Sequence, residues 1–270
     1  MSTYETILSV TNIILALCGG AAIITAIVAC QKYITQLEDT ARNNDYERTK
    51  LACDLARYFA EEIIPSASLF RRVLEKSNEE AYETYRTIFP ANRLVNFDAL
   101  ELSELLSASK HDEKIVSNIL NGVTPAIIYN EKLKNCRNDS ERVLIAEYYL
   151  EVLKDNPSEE GIQKKALLLS DYKANMMSLQ NKLEWFSMNF RKKMADEDTV
   201  YQSLHQWFLF TVKLLYYPIA KENSHNPDKY YSNIIWLYNH WNNKLKEDEQ
   251  KQQQRVRDAQ SPLRNVFPVE

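Results

Sequence analysis

Four glycines in 270 residues exclude more than any other feature of this sequence. They are Gly19, Gly20, Gly122 and Gly161. Phosphate-cradling loops need several glycines close together, because backbone must approach phosphate at positive φ. Only Gly19 and Gly20 are neighbours, and they lie in an apolar run. A P-loop or dinucleotide fingerprint is therefore excluded, and so is a many-stranded β fold, which needs more glycine turns. One-sided charge is also missing. The 33 basic and 37 acidic residues leave a net charge of -4, too mild to argue for a nucleic-acid partner. The four cysteines, Cys18, Cys30, Cys53 and Cys136, form no C-x-x-C pair, so zinc and thioredoxin-like signatures are absent. Nor do they suggest a disulfide framework, which suits a reducing cytoplasm. His111, His205, His225 and His240 have no second His or Cys at metal spacing. No metal and no cofactor is expected.

What is present begins at the amino terminus. Ile7 to Cys30 is 24 residues without a formal charge. About 20 apolar helical residues span a bilayer core of ~30 Å. Eleven Ile, Leu and Val residues in the run, at about −0.3 to −0.6 kcal/mol each, favour insertion by roughly 3–6 kcal/mol before polar costs. Two rivals are a cleaved signal peptide and a lipoprotein box at Ile27-Val28-Ala29-Cys30. Both want a basic leader, whereas MSTYET carries Glu5 and no Lys or Arg. A retained single-pass anchor is the preferred reading. Lys32, Arg42, Arg48 and Lys50 follow the run and none precedes it. The positive-inside rule then puts the amino terminus outside and the bulk of the chain in the cytoplasm of a bacterial cell. Cys18, Ala22, Ala26 and Cys30 recur every fourth position, with Ala16 and Gly20 as a second pair. Such a small-residue face lets membrane helices pack closely, so a homo-oligomer is expected.

Beyond the anchor the pattern is helical. Gln31 to Ile64 should form one helix that ends at Pro65. A second should run from Ser66 to Ile88, with short helices at 96–106 and 114–120. Gly122 and Pro125 punctuate a loop. Asp139-Ser140-Glu141 opens a helix through Leu153. The next runs to about Met194, with Gly161 in its first turn. Asp196-Glu197-Asp198 starts a central helix reaching Ala220, apolar on most sides. Within it, Lys213 should snorkel or pair with an acid. The last helix should start near Asp228, with Tyr230, Ile234, Leu237 and Trp241 on one stripe. The expected organisation is an extracytoplasmic segment 1–6, a transmembrane helix 7–30 and a cytoplasmic all-α domain 31–245 of six to eight helices. The charged, Gln-rich tail 246–270 is either an extending solvated helix or flexible.

The candidate chemistry is sparse. His205 and His240 lie beside helix aromatics and read as buried or rim histidines. The adjacent acids Glu61-Glu62, Glu79-Glu80 and Glu159-Glu160 face about 100° apart and form no paired-carboxylate site. Glu184 lies beside Trp185 in an apolar helix, where a salt bridge to Lys213 or Lys182 would explain it. Trp185, Trp207, Trp236 and Trp241 each fall on a helical stripe and read as core. A helical enzyme built on His205, His240 or Glu184 is the least supported alternative.

Residues 175–245 carry a looser signature. Asn181-Lys182-Leu183-Glu184-Trp185-Phe186 is similar to an L-N-x-[LF]-E segment. The Asp196-Glu197-Asp198 start, the aromatic helix around Trp207 and Trp236-Leu237-Tyr238-Asn239-His240-Trp241 follow in order. The last is similar to a W-L-x-x-x-W ending. The chain thereby resembles an uncharacterised family of bacterial membrane-anchored helical proteins, a domain of unknown function. Leu179-Gln180 replaces that family's L-N pair, and Lys213 interrupts the aromatic helix. The resemblance implies a role near anti-phage or stress-response systems and carries over no catalytic residue. The expectation is a non-enzymatic membrane effector or sensor, acting through its membrane helix and a cytoplasmic protein partner. The alternative is a membrane-tethered adaptor.

Overall fold

The structure is a computed structural model that describes Val28 and residues 43–90, 93–136, 138–149, 153–154, 158–224 and 228–266. The expected membrane-packing residues Cys18, Ala22, Ala26 and Cys30 lie outside the described residues. Among the described residues all regular structure is helical, so the all-α bundle holds. No helix among them is long and apolar enough to cross a membrane. The elements are α1 (Asn43–Tyr58), a π-helical turn (Phe59–Ile63), α2 (Ile64–Ser77), α3 (Glu79–Ile88), α4 (Ala99–Ser109) and α5 (Glu113–Asn121). Then come α6 (Pro125–Lys134), α7 (Asp139–Tyr149), α8 (Glu159–Arg191), α9 (Glu197–Leu214), α10 (Tyr216–Asn223) and α11 (Ser232–Val266). These are more than the six to eight helices expected, because local breaks divide patterns that read as continuous.

Pro65 does not end its helix. It sits in the first turn of α2, directly after the π turn. A proline inside a helix lacks an N–H and its ring meets the carbonyl four residues back. One extra residue in the turn relieves this: the Ile64 N–H bonds the Phe59 carbonyl, five residues back. The chain thus passes from α1 to α2 along one helical path. By contrast, the helix expected over 66–88 is cut at Asn78. That residue is extended (φ −167°), and its side chain accepts from the Ala81 N–H at 3.0 Å, capping α3.

The expected central helix is cut at Leu215, ahead of Pro218 in α10. Pro218 cannot donate to the Leu214 carbonyl four residues back. The Tyr85 hydroxyl donates to that carbonyl instead, at 2.9 Å. Burial pushes the Tyr85 pKa far up, so it stays a protonated donor. The Gly122–Pro125 loop holds a helix start that composition hid. Thr124 caps α6 through the Ile127 N–H, and Pro125 takes its first turn. Gly122 closes α5 where a Cβ would come 2.9 Å from the Asn118 carbonyl. Gly161 lies in the first turn of α8, as expected, and Ser158 caps that helix through the Gly161 N–H at 3.2 Å. The last helix starts at Ser232, after Tyr231 at φ 57°, and continues through residues 246–266.

The core has two aromatic centres. Trp241 of α11 is fully buried, with ring centroids 5.0 Å from Phe208, 5.7 Å from Tyr201, 5.9 Å from Phe190 and 6.3 Å from Phe186. It joins α8, α9 and α11, while Phe59 of the π turn lies 4.9 Å from Phe186. The second centre links Tyr85, Phe89, Tyr216, Phe97 and Tyr238 through edge-to-face and tilted ring contacts.

Beside it, Glu101 is buried and accepts three backbone N–H groups. These are Val95 at 2.7 Å, Asn96 at 2.6 Å and Phe97 at 3.0 Å. Phe97 stands at φ 54° in this turn. Asp98 caps α4 through the Glu101 N–H and pairs with Lys229 at 3.0 Å. Burial opposes its ionisation, but these donors outweigh it and hold its pKa below the ordinary value. Lys221, 2.6 Å from Glu113, holds that carboxylate low as well.

A depressed folded pKa adds stability that is present above the unfolded pKa and lost as pH falls through the folded one. The ordinary values are 3.8 for Asp98 and 4.5 for Glu113. Stability from these pairs is therefore expected to be complete above pH 4.5 and to fall below it. Urea titrations at stepped pH check this. The double variant Lys221→Met, Lys229→Met should show a shallower acid loss than the parent chain.

Candidate functional site

One cleft in the described part of the molecule combines apolar lining with side chains that carry unsatisfied polar atoms. It lies between α2, the end of α6 and the middle of α8, with a volume of about 450 Å³. Leu69, Phe70, Met176 and Leu179 line it with apolar surface, and Phe70 stacks on Tyr172 at 5.6 Å. Ser66, Ser68, Asn135 and Asn175 supply neutral polar groups. Pro65 sits on its wall, so the π turn adjoins it. Such irregular turns recur at functional sites because they re-aim the side chains around them.

Two of the side chains that line it carry a buried atom without a hydrogen-bond partner, the Tyr172 hydroxyl and Arg72 Nε. Arg72 Nε does lie 3.3 Å from a Glu131 oxygen, as an ion pair rather than an aligned hydrogen bond. Arg72 Nη2 donates to Asn135 Oδ1. Glu131 is 2% exposed and also pairs with Lys134 at 2.8 Å. Two cations thus share one buried carboxylate. The neighbouring Lys132–Asp171 pair, at 3.4 Å, is balanced. Burial pushes the Tyr172 pKa far up, so its hydroxyl is a donor at neutral pH.

The residues singled out from sequence lie elsewhere. Glu184 pairs with no lysine among the described residues. It accepts from the Asn233 N–H at 3.2 Å, the Asn233 amide at 2.7 Å and the Ile234 N–H at 2.9 Å, closing the amino end of α11. A carboxylate there meets unpaired N–H groups and the positive end of the helix dipole. Lys182 pairs instead with Glu62 at 2.7 Å. Lys213 is half-buried, with no ion-pair partner among the described residues. Burial first, and Arg86 second, lower its pKa. His205 is buried, with Nδ1 2.8 Å from the Tyr201 carbonyl. His240 stacks on Trp236 and reaches Glu197 at 2.9 Å. Lys244 joins that cluster through Asp198 at 2.7 Å and lies 4.3 Å above the Tyr201 ring.

The structure therefore keeps Glu184, His205 and His240 apart in role. Asn233 and His240 are seven residues apart on α11, roughly 10 Å along the axis. Trp241 is core, and Trp207 and Trp236 are partly buried against it. Trp185 is not core: it is 45% exposed, edge-on to Tyr58 at 5.0 Å. Among the described residues no group of three or more His, Cys, Asp or Glu could hold a metal ion. Sequence reasoning missed the cleft, because Ser66, Arg72, Asn135 and Tyr172 come from three helices with no shared motif. Its only local signal was Pro65 in an otherwise helical stretch. Comparison with protein-family models, curated proteins and solved structures gives no match to this chain.

Proposed function

We propose that the chain is a non-enzymatic, membrane-anchored effector or sensor. In this reading Ile7–Cys30 crosses the bacterial cell membrane with the amino terminus outside. The helical domain then works in the cytoplasm, where it binds a protein partner. Copies associate through the face of Cys18, Ala22, Ala26 and Cys30. In an anti-phage or stress setting the output is membrane disruption. A single span makes a poor pore, so this output requires an oligomer.

The observation that carries the reading is the uncharged run of 24 residues. A supporting one is the chain path that follows. Asn43 of α1 begins 13 positions after Cys30. Ala52, Leu55 and Ala56 of α1 are buried, and the π turn carries the same path into α2, one wall of the cleft. Rearrangement of α2 would thus be felt along α1 as far as Asn43, where that helix begins. The test is alkaline carbonate extraction of membranes from expressing cells. The full chain should stay in the pellet, and a chain lacking residues 1–30 should move to the supernatant. Full release of the intact chain would overturn the reading.

The adaptor reading is favoured by one observation. Trp185 and Met177, 45% and 53% exposed, stand beside Tyr58 and make an aromatic patch fit for a protein partner. Exchanging residues 7–30 for an unrelated membrane helix should preserve adaptor function and abolish effector function.

A further inference from the structure

We infer that the carboxy-terminal part of α11, from Lys251 onward, binds the anionic lipid headgroups of the membrane that the anchor enters. This rests on the anchor reading and adds a second contact with the bilayer. The fold decides where this part of α11 points. The Trp241 ring lies 5.9 Å from Phe190, next to the last residue of α8. Three residues on, Lys244 pairs with Asp198 at 2.7 Å and Glu197 at 3.4 Å, in the first turn of α9. Beside them the Asp196 N–H donates to the Arg48 carbonyl of α1 at 3.1 Å. α11 therefore leaves the bundle at the end where α8 stops and where α9 and α1 begin. From that same end the chain runs back from α1 toward Cys30.

The two stretches match in reach. Lys251 to Arg264 lies about 10–30 Å past Lys244 along the helix axis. Arg48 to Cys30 is about 27 Å if the chain between them is helical, as its sequence predicts. Every residue from Glu247 to Arg257 is exposed, so the bundle covers none of this stretch. A polar helix exposed on all sides gains nothing from core packing and suits a bridging role. Its charge changes sign along its length. Glu247, Asp248 and Glu249 stand nearer the bundle, whereas Lys251, Arg255, Arg257 and Arg264 follow with only Asp258 against them. Lys251 lies 3.8 Å from Asp248, a surface pair that is worth little and leaves the ammonium available. The basic part is thus the part placed toward an anionic surface. Val256, 50% exposed between two arginines, offers an apolar side chain to the headgroup boundary. A second copy of this stretch, parallel and in register, would bring like charges together instead.

The experiment is hydrogen exchange of the full chain in lipid discs, of phosphatidylcholine alone and of phosphatidylcholine mixed with phosphatidylglycerol. A basic residue near an anionic surface strengthens attachment by about fivefold. Amides 250–258 should therefore exchange at least about tenfold more slowly in the mixed discs. Amides 234–241, in the packed part of α11, should not differ. High salt should remove the difference, because exposed charges are screened. So should the triple variant Lys251→Gln, Arg255→Gln, Arg257→Gln, whose sites are exposed and whose glutamines keep the helix. Equal exchange of 250–258 in the two kinds of disc overturns the inference. Protection in both that the triple variant keeps also overturns it, and points to a second copy as the cover. A chain that fails to enter the discs overturns the anchor reading and this inference together. A chain that enters them with its tail unprotected overturns this inference alone.

Discussion

Trp241→Ala is expected to lower the unfolding free energy by about 3–5 kcal/mol. The side chain is completely buried, and four aromatic rings from α8 and α9 stand around it. Truncation removes its transfer energy and leaves a cavity between rings that sit on two other helices. Those rings cannot collapse into the gap without moving the helices that carry them, so the cavity cost should remain. Trp241→Phe keeps most of the contact and should cost much less. Its indole Nε1 has no hydrogen-bond partner, so phenylalanine gives up no hydrogen bond there. Since a domain's total stability is about 5–15 kcal/mol, the alanine variant should lie near the edge of folding at 37 °C. Urea unfolding followed by near-ultraviolet circular dichroism measures both variants. An alanine cost below about 1 kcal/mol would mean that this is not the packing centre.

Glu101→Ala should cost a comparable amount, roughly 3–5 kcal/mol, for a different reason. Its carboxylate receives the N–H groups of Val95, Asn96 and Phe97. Alanine leaves three donors without an acceptor in a partly enclosed turn. The turn is tied further by Asn223, whose amide donates to the Phe97 carbonyl at 2.9 Å and whose oxygen accepts from the Tyr230 N–H at 2.6 Å. Loss at Glu101 should therefore loosen the start of α4 and the approach to α11 together. Hydrogen exchange should show faster exchange at 95–97 and at 230–234 in the variant. Glu101→Gln keeps one acceptor oxygen but turns an amide NH₂ toward N–H donors, and should fall in between. Equal stability of all three chains would refute the assigned role.

Much of the fold was legible because its signals are local. Asp98, Thr124 and Ser158 are capping residue types, and all three cap helices. Of these, the Thr124-Pro125 start read as loop, since Gly122 and the proline masked the helix behind them. Apolar spacing placed Leu183, Phe186 and Phe190 on the buried side of α8 and Trp241 on that of α11. The breaks were harder to see. Pro65 reads as a stop, yet a π turn absorbs it. Pro218 lies within the expected central helix, yet that helix is cut at Leu215 just ahead of it, and Tyr85, over a hundred residues away, takes the freed carbonyl. Glu184 shows the same limit. Its neighbours in sequence suggested a lysine partner, whereas its partners are the N–H groups opening a helix some fifty residues on. The cleft was invisible for this reason: a site assembled by packing leaves no spacing to read.

In the function proposed, the amino-terminal run acts in the membrane as an assembled unit. The most direct measurement follows membrane potential and dye entry together in cells expressing the full chain. Ala22→Leu and Ala26→Leu, which fill the small-residue face, and a chain lacking residues 1–30 serve as comparisons. Depolarisation is expected with the full chain, and its loss in all three comparisons, at equal expression. Depolarisation that persists when both alanines are leucine, or membranes that stay tight at high expression of the full chain, would contradict it.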